Sequence, residues 1–380
     1  MRILHTSDWH VGRTMRGKSR AAEHEAVLLE VTGVAEAQEV DLVLVGGDLF
    51  DLAAPSPQSE QIVYQTLLGL AEIAPVVIVA GNHDHPRRLE AVAPLLELGR
   101  VTVASHPRPA AEGGVIRMKA ASGESARLAL LPFISQRYVV RADDLMGLGR
   151  SAHGGKYAER VREIIVHLTQ DLSTNEVNIV VGHVMVAGGE LGGGERQAHT
   201  VFDYVVPAQA FPGALTYAAL GHLHRAQRVP APCPTWYSGS PLQLDFGETE
   251  DPKGVLLVEA EPGLPAHVTQ IPITSGRRLF KIAGTLAEIE AAAPSTEDAY
   301  VRVELHEPAR AGLADQIREM IPEAIDVVLV SPEKLDDVER PPRLGRPPHE
   351  LVAEYLTSEG VEDDKVVALF RELMETAGAP

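Results

Sequence analysis

Five short polar clusters contain the residue types most suited to chemistry: Asp8-Trp9-His10, Gly47-Asp48, Gly81-Asn82-His83-Asp84, Gly182-His183 and Gly221-His222-Leu223-His224. Together they contain three Asp, one Asn and five His and no thiolate. Oxygen and imidazole donors in this mixture suit divalent cations of intermediate hardness. The spacing suggests two metals. Asp8 and His10, at i and i+2 of an extended segment, would face one side, as would His222 and His224. Asp48, alone on its turn, is the natural bridging carboxylate. Two cations about 3.5–4 Å apart can generate a nucleophilic hydroxide and hold both oxygens of an in-line phosphoryl displacement. Glycine beside four clusters allows a sharp turn and close approach of phosphate. Taken alone, Asp-x-His or His-x-His is usually an ordinary exposed polar pair. All five clusters, each following an apolar run, are not accounted for that way.

The elements that must position them are legible around the clusters. Residues 2–6, 41–46 and 75–80 are brief, nearly all apolar runs ended by polar or glycine residues, the pattern of buried strands. Residues 20–38 and 58–73 carry helix formers with apolar spacing near 3.6, and strand–helix–strand repeats imply an α/β sheet whose strand ends converge on one crevice. Further strands are expected at 126–131, 177–181, 216–220 and 254–259, with a helix at 156–172. The chain divides into a large unit, 1–275, and a small α+β unit, 276–338, the latter with strands at 279–283, 299–305 and 326–330 and helices at 286–293 and 313–320. A Pro/Arg-rich linker, 339–348, and a helical segment, 349–380, follow. The glycine-rich run 188–194 is expected to be a mobile loop.

Composition narrows the class. The chain has 380 residues, enough for two or three domains at roughly 150 residues each. Its 45% hydrophobic and 23% charged residues are ordinary for a globular protein. A single cysteine, Cys233, excludes an internal disulfide and a Cys-rich zinc site and is expected to be an inert loop thiol. The N-terminal residues lack the apolar core of a signal peptide, and no apolar run approaches the roughly 20 residues of a membrane span, so a cytoplasmic location is expected. The net charge of −19 argues against coating nucleic acid by charge alone. Local basic residues still supply candidate DNA contacts: Arg13, Arg16, Lys18 and Arg20 after the first cluster, and Arg87 and Arg88 after the third. A solvated loop and an ordinary helix start are the alternative reading. Trp9 is expected to be buried support, and Tyr237-Ser238-Gly239-Ser240-Pro241 a turn on the crevice rim.

The order D-x-H, GD, GNHD, GH, GHxH resembles the calcineurin-like metallophosphoesterases. Within them, MRILHTSDWHVG from Met1, GDLFD from Gly47, AGNHD from Ala80, ALGHLHRAQ from Ala219 and YSGSP from Tyr237 resemble the SbcD family of bacterial nuclease subunits. The resemblance implies an αββα sandwich with a small α+β capping domain and a helical C-terminal tail. It implies one metal on Asp8, His10, Asp48 and His224 and another on Asp48, Asn82, His183 and His222, most often Mn2+. His83 would protonate the leaving 3′ oxygen, and Asp84 would hold its ring or cap the loop. Archaeal and eukaryotic relatives carry His where this chain has Asp51, which leaves the role of Asp51 open. The implied activities are 3′-to-5′ double-strand exonuclease and single-strand or hairpin endonuclease, in DNA repair, replication and recombination. The implied partners are DNA and an SbcC-like ATPase whose coiled coil binds the tail, with a homodimer inside a heterotetramer. Leu351, Val352, Tyr355 and Leu356 form one apolar stripe, and Val366, Val367, Leu369, Phe370, Leu373 and Met374 another. Such short helices need packing, either back on the large unit or on another chain. The rivals are a phosphatase or cyclic-nucleotide phosphodiesterase on the same core, and an inactive adaptor. An adaptor would be marked by a lost ligand, and none of the seven is missing.

Overall fold

The computed structural model describes residues 1–120, 123–135, 157–195, 204–296, 298–308 and 310–330, together with 352, 353, 355, 356, 365, 366 and 368–370. The first six-stranded sheet is built from β1 (Arg2–Thr6), β2 (Leu42–Val45), β3 (Val76–Val79), β4 (Val101–Ala104), β11 (Gly254–Glu259) and β12 (His267–Pro272), in the order β12-β11-β1-β2-β3-β4. The β1-to-β4 pairings are parallel, while β11 joins β1 antiparallel. The second comprises β5 (Val115–Lys119), β6 (Ser125–Leu131), β7 (Val177–His183), β8 (Tyr217–Gly221), β9 (Gln227–Val229) and β10 (Thr235–Tyr237), in the order β9-β10-β8-β7-β6-β5.

Side-chain alternation explains how these sheets stack. Successive strand residues point to opposite faces, and here both faces are apolar. Leu42, Leu44, Val77 and Val79 enter a core shared with Leu128, Leu130, Ile179, Val181 and Ala219 of the second sheet. Val43, Val45, Val76 and Ile78 face the other way, onto α1 (Ala21–Ala37) and α2 (Pro57–Ile73) through Val27, Val31, Val63 and Leu67. The second sheet's outer face is covered by α4 (Tyr157–Leu168) through Val161, Ile164 and Ile165. The layers therefore run helix, sheet, sheet, helix, with α3 (Pro86–Leu98) also on the first sheet's side through Leu89 and Leu96. This is the αββα sandwich that the family resemblance implies; strand–helix alternation alone indicates only an α/β sheet.

The unanticipated elements have weak patterns for physical reasons. β12 is an edge strand with its residues half-buried or exposed, so no continuous apolar run marks it. The helix α3 buries only Leu89 and Leu96 and contains Pro94. Tyr237 ends a strand inside the second sheet, not a rim turn. Its buried hydroxyl accepts the Val186 N–H at 2.8 Å and donates to the Val184 carbonyl at 2.8 Å.

A separate three-stranded parallel sheet contains β13 (Arg278–Gly284), β14 (Ala299–Leu305) and β15 (Ala324–Leu329). With α5 (Leu286–Ala292) and α6 (Leu313–Met320) it encloses its own core, including Ile289, Val301, Val303 and Ile317. Met15, Phe246, Leu279 and Tyr300 form a small apolar cluster joining it to the large unit. The linker 339–348 lies outside the described residues. The described tail positions are helical, with Tyr355, Val366 and Leu369 exposed. Among the described residues no helix is long and apolar enough to cross a membrane.

Candidate metal centre

All five polar segments leave the C-terminal ends of strands, three from the first sheet (β1, β2, β3) and two from the second (β7, β8). Backbone bonds lock the first two segments together: the Asp8 N–H donates to the Gly47 carbonyl at 2.9 Å and the His10 N–H to the Asp48 carbonyl at 3.0 Å. The extended geometry expected for Asp8 and His10 is not found. Asp8, His10, Asp48 and His222 all have left-handed backbones, with φ of 53°, 47°, 53° and 113°. Each such residue costs on the order of 1–3 kcal/mol and persists only where its surroundings impose it. Gly81 is required by close approach, since a Cβ there would collide with the carboxylate and backbone nitrogen of Asp48.

The side chains converge in a buried cluster. Asp8, His10, Asp48, His183, His222 and His224 are each at most 3% exposed. Asp48 Oδ2 lies 3.5 Å from both His10 Nε2 and His183 Nε2, and thus faces two groups of donors. On one side Asp8, His10 and His224 each offer a ligand atom within 4.8 Å of the others. On the other, Asn82 Oδ1 lies 2.9 Å from His183 Nε2 and 2.8 Å from His222 Nδ1, and those two nitrogens are 3.3 Å apart.

The cluster is short of protons, which is the test of fit for a cation. His183 Nδ1 donates to the Gly46 carbonyl at 2.7 Å, and burial holds the imidazole down to about 3, so Nε2 presents a lone pair to the cluster. The two nitrogens of His10 have only long approaches to carboxylates, Nδ1 to Asp51 at 3.4 Å and Nε2 to Asp48 at 3.5 Å, with no well-formed hydrogen bond, and burial lowers the ring to about 4. Burial also penalises the charged form of Asp8, raising it to about 6, a cost that a neighbouring cation would offset. Leaving buried polar atoms unsatisfied costs on the order of 1–3 kcal/mol each. Divalent cations would satisfy the converging lone pairs, and the donor set fits them without thiolate.

Several supporting residues carried no signal in sequence. Glu248, fully buried, binds His224 Nδ1 at 2.9 Å and Lys253 Nζ at 2.8 Å. Burial alone would raise its pKa, but Lys253 and His224 bring it down to about 2. Burial opposes a charge on His224, yet Glu248, Asp8 and Glu195 raise it above its ordinary value. Ser7 donates to Asp8 Oδ2 at 2.5 Å. Phe133 stacks on His222, with centroids 6.4 Å apart and planes at 20°. Glu248 and Phe133 are far in sequence from the histidines they touch, so no local spacing announces them.

His83 belongs to the cluster too, within 4.8 Å of His10 and Asp48, so position alone does not divide ligands from a proton donor. Its ring is held through Nδ1, which donates to the Asp51 carbonyl at 2.7 Å. Asp84 takes the loop-capping part: its carboxylate accepts the Phe50 N–H at 3.2 Å and the Gly81 N–H at 2.9 Å. Asp51 Oδ1 reaches Arg13 at 3.1 Å and His10 Nδ1 at 3.4 Å.

The basic residues separate into different environments. Arg20 is 1% exposed, pairs with Glu23 at 2.7 Å and donates to the carbonyls of Gln243 and Arg277, so it is a packing residue and not a DNA contact. A buried guanidinium with these partners has no surface to offer a phosphate. Arg13 and Arg16 line the rim beside Asp51, with Arg16 bound to Asp326 at 2.6 Å. Lys18 sits 5.9 Å from the Tyr300 ring centroid. Arg88 pairs with Glu60 at 2.5 Å, and Arg87 is exposed at the start of α3. Trp9 is buried and its indole N–H donates to Thr6 Oγ1 at 3.0 Å. The glycine-rich run, expected to be mobile, is pinned instead: Glu195 accepts the N–H groups of Gly192 and Gly193 at 2.7 and 2.8 Å and that of His224 at 3.0 Å. Cys233 is buried and free.

This fold and strand-end cluster define a class, and residues 1–226 match the calcineurin-like phosphoesterase family model. The chain belongs to that family and is a hydrolase acting on phosphodiester bonds. Within it, the chain belongs to the SbcD family. It is 34% identical over 296 residues to the SbcD component of the SbcCD nuclease of Bacillus subtilis, covering 76% of this chain and 74% of the relative. It is 35% identical over 287 residues to the corresponding SbcCD nuclease component of Rhodobacter capsulatus, covering 70% and 69%. Among solved structures it is similar to a dimetal phosphatase from Danio rerio at 9% identity, with 72% and 99% coverage and a TM-score of 0.40.

Proposed function

We propose that the protein is a metal-dependent DNA nuclease, the catalytic component of an SbcCD-like complex. One cation would be held by Asp8, His10, Asp48 and His224, and the other by Asp48, Asn82, His183 and His222. When bound, the cations, Mn2+ in this reading, neutralise charge on the phosphate and lower the pKa of the attacking water. The rest falls to the protein. Asp48 holds the two donor groups in one frame, and its Oδ1 accepts the His83 N–H at 2.8 Å, fixing that residue's backbone against the centre. With Nδ1–H donating to the Asp51 carbonyl, His83 would act as the imidazolium, whose second proton on Nε2 is delivered to the departing 3′ oxygen. The observation that carries this reading is the buried convergence of imidazole and carboxylate donors around Asp48, above all the His10 ring, whose nitrogens have only carboxylate approaches of 3.5 and 3.4 Å and no well-formed hydrogen bond.

Arg13, Arg16, Lys18, Arg87 and Arg88 are proposed to meet phosphates beyond the scissile one. Their present partners are exchangeable rim carboxylates for Arg13, Arg16 and Arg88. The activities proposed are 3′-to-5′ exonuclease on duplex ends and endonuclease on single strands and hairpins, in DNA repair, replication and recombination in the cytoplasm. The tail, 349–380, would dock on the coiled coil of an SbcC-like ATPase, two copies of each forming the assembly. The exposed Tyr355, Val366 and Leu369 support a partner for these helices.

The test combines substrate with partner. Linear duplex and single-stranded DNA should be cleaved in preference to a chromogenic phosphodiester of low molecular mass; the reverse preference would favour the phosphatase or cyclic-nucleotide reading. A chain truncated after Val338 retains every proposed ligand and is expected to keep metal-dependent cleavage of single strands. It should lose co-purification with the ATPase and any ATP-stimulated attack on duplex ends. Unfolding on truncation would show that the helices brace the large unit and would remove the docking proposal.

A further inference from the structure

The Glu248–His224 pair lies behind one half of the metal centre, and its construction is more elaborate than support of a loop requires. Glu248 is fully buried, a costly location for a carboxylate unless it is bound on all sides. Oε1 accepts a hydrogen bond from His224 Nδ1–H at 2.9 Å, while Oε2 accepts from Lys253 Nζ at 2.8 Å and from the Leu244 N–H at 2.9 Å. Lys253 also donates to the His224 carbonyl at 2.9 Å and to Ser240 Oγ at 2.9 Å, so one ammonium ties the carboxylate to the backbone of the histidine it holds. A second, independent feature closes the pair from above. A Cβ on Gly194 would lie 2.5 Å from Glu248 Oε1 and 2.7 Å from His224 Nδ1. The glycine-rich run thus rests directly on this hydrogen bond, with Glu195 pinning it there through the N–H groups of His224, Gly192 and Gly193.

The opposite half of the centre is built differently. His183 Nδ1 is held by a neutral backbone carbonyl, that of Gly46, in the place where His224 has a carboxylate. Either partner fixes the tautomer and ring orientation of an imidazole, and a carboxylate, carrying a full negative charge, raises its basicity as a ligand more than a neutral carbonyl does. The two proposed metal positions therefore share Asp48 but differ in what stands behind their histidines.

We infer that Glu248 is a positioning residue that fixes His224 with Nδ1 protonated and Nε2 toward Asp8 and His10, so that the Asp8–His10–Asp48–His224 position binds its cation more tightly than the Asp48–Asn82–His183–His222 position. This rests on the two-cation reading above. Neither Glu248 nor Gly194 touches the reacting phosphate; both act through His224.

The full chain, stripped with chelator, is titrated with Mn2+ by calorimetry, and its metal content is measured after gel filtration. The wild type is expected to show two unequal binding steps. Glu248→Gln keeps an acceptor for Nδ1–H but removes the charge, and should weaken the tighter step by about 10- to 100-fold while leaving the weaker one in place. Gly194→Ala leaves Glu248 chemically intact and pushes on the pair sterically, so it should weaken the same step. It also keeps the question answerable if Glu248→Gln fails to fold, which the unfolding temperature of the metal-free chain reports. Equal weakening of both steps, or an unchanged profile in both variants, would overturn the role of Glu248 while the two-cation reading stands. A wild-type chain that takes up no Mn2+ would overturn that reading and this one with it.

Discussion

Asp48→Ala is expected to abolish nuclease activity and to empty both metal positions together. Asp48 is the carboxylate that faces both donor groups, 3.5 Å from His10 on one side and 3.5 Å from His183 on the other. Removing it leaves each cation with too few oxygens and removes the charge between them. The loss of transition-state stabilisation is several kcal/mol, about 10³-fold or more in rate. Because Asp48 has a left-handed backbone, which Asn adopts at lower cost than Ala, Asp48→Asn is the companion variant that perturbs the fold least. Both should retain the cooperative unfolding transition, and metal analysis should find fewer than one ion per chain in the alanine variant. Two ions still bound in Asp48→Ala would remove the bridging role.

The second large effect separates proton transfer from metal binding. His83→Gln should keep both cations and DNA binding and lose about 10²–10⁴ in cleavage rate, the range for a removed general acid. Substrates with a good leaving group need little protonation, so on them the loss should be much smaller. Equal losses on good and poor leaving groups would make His83 a phosphate-positioning residue, and loss of a cation would make it a ligand. The distinction matters because His83 lies within reach of His10 and Asp48, and its Nδ1 is committed just as those of His183 and His224 are, so geometry does not set it apart.

What the sequence made legible follows from locality. Residues 42–45 and 76–79 are uninterrupted apolar runs, so they could be placed as buried strands, and the polar residues just beyond them as strand-end ligands. The cluster was reachable for that reason: each candidate sits within a few residues of a recognisable strand end. The division into two sheets came from the family resemblance and not from the apolar pattern, because Leu42 and Val43 are equally apolar although they enter different cores. The left-handed turns at Asp8 and His10 were missed for a related cause. Spacing suggests an extended segment, while the bonds to Gly47 and Asp48 that bend it come from another part of the chain. Arg20 shows the limit of charge as evidence. It stands among Arg13, Arg16 and Lys18 in sequence, yet its side chain turns inward to Glu23, Gln243 and Arg277, the latter two more than 200 residues away. Glu248 lies outside all five motifs, and only folding brings it to His224.

The most direct test of the two-cation centre is a crystal of the wild-type chain soaked in Mn2+ and measured at the manganese absorption edge. Two anomalous peaks are expected, one among Asp8, His10 and His224, the other among Asn82, His183 and His222, with Asp48 between them. A single peak, or a pair that leaves Asp48 uncoordinated, would contradict the account.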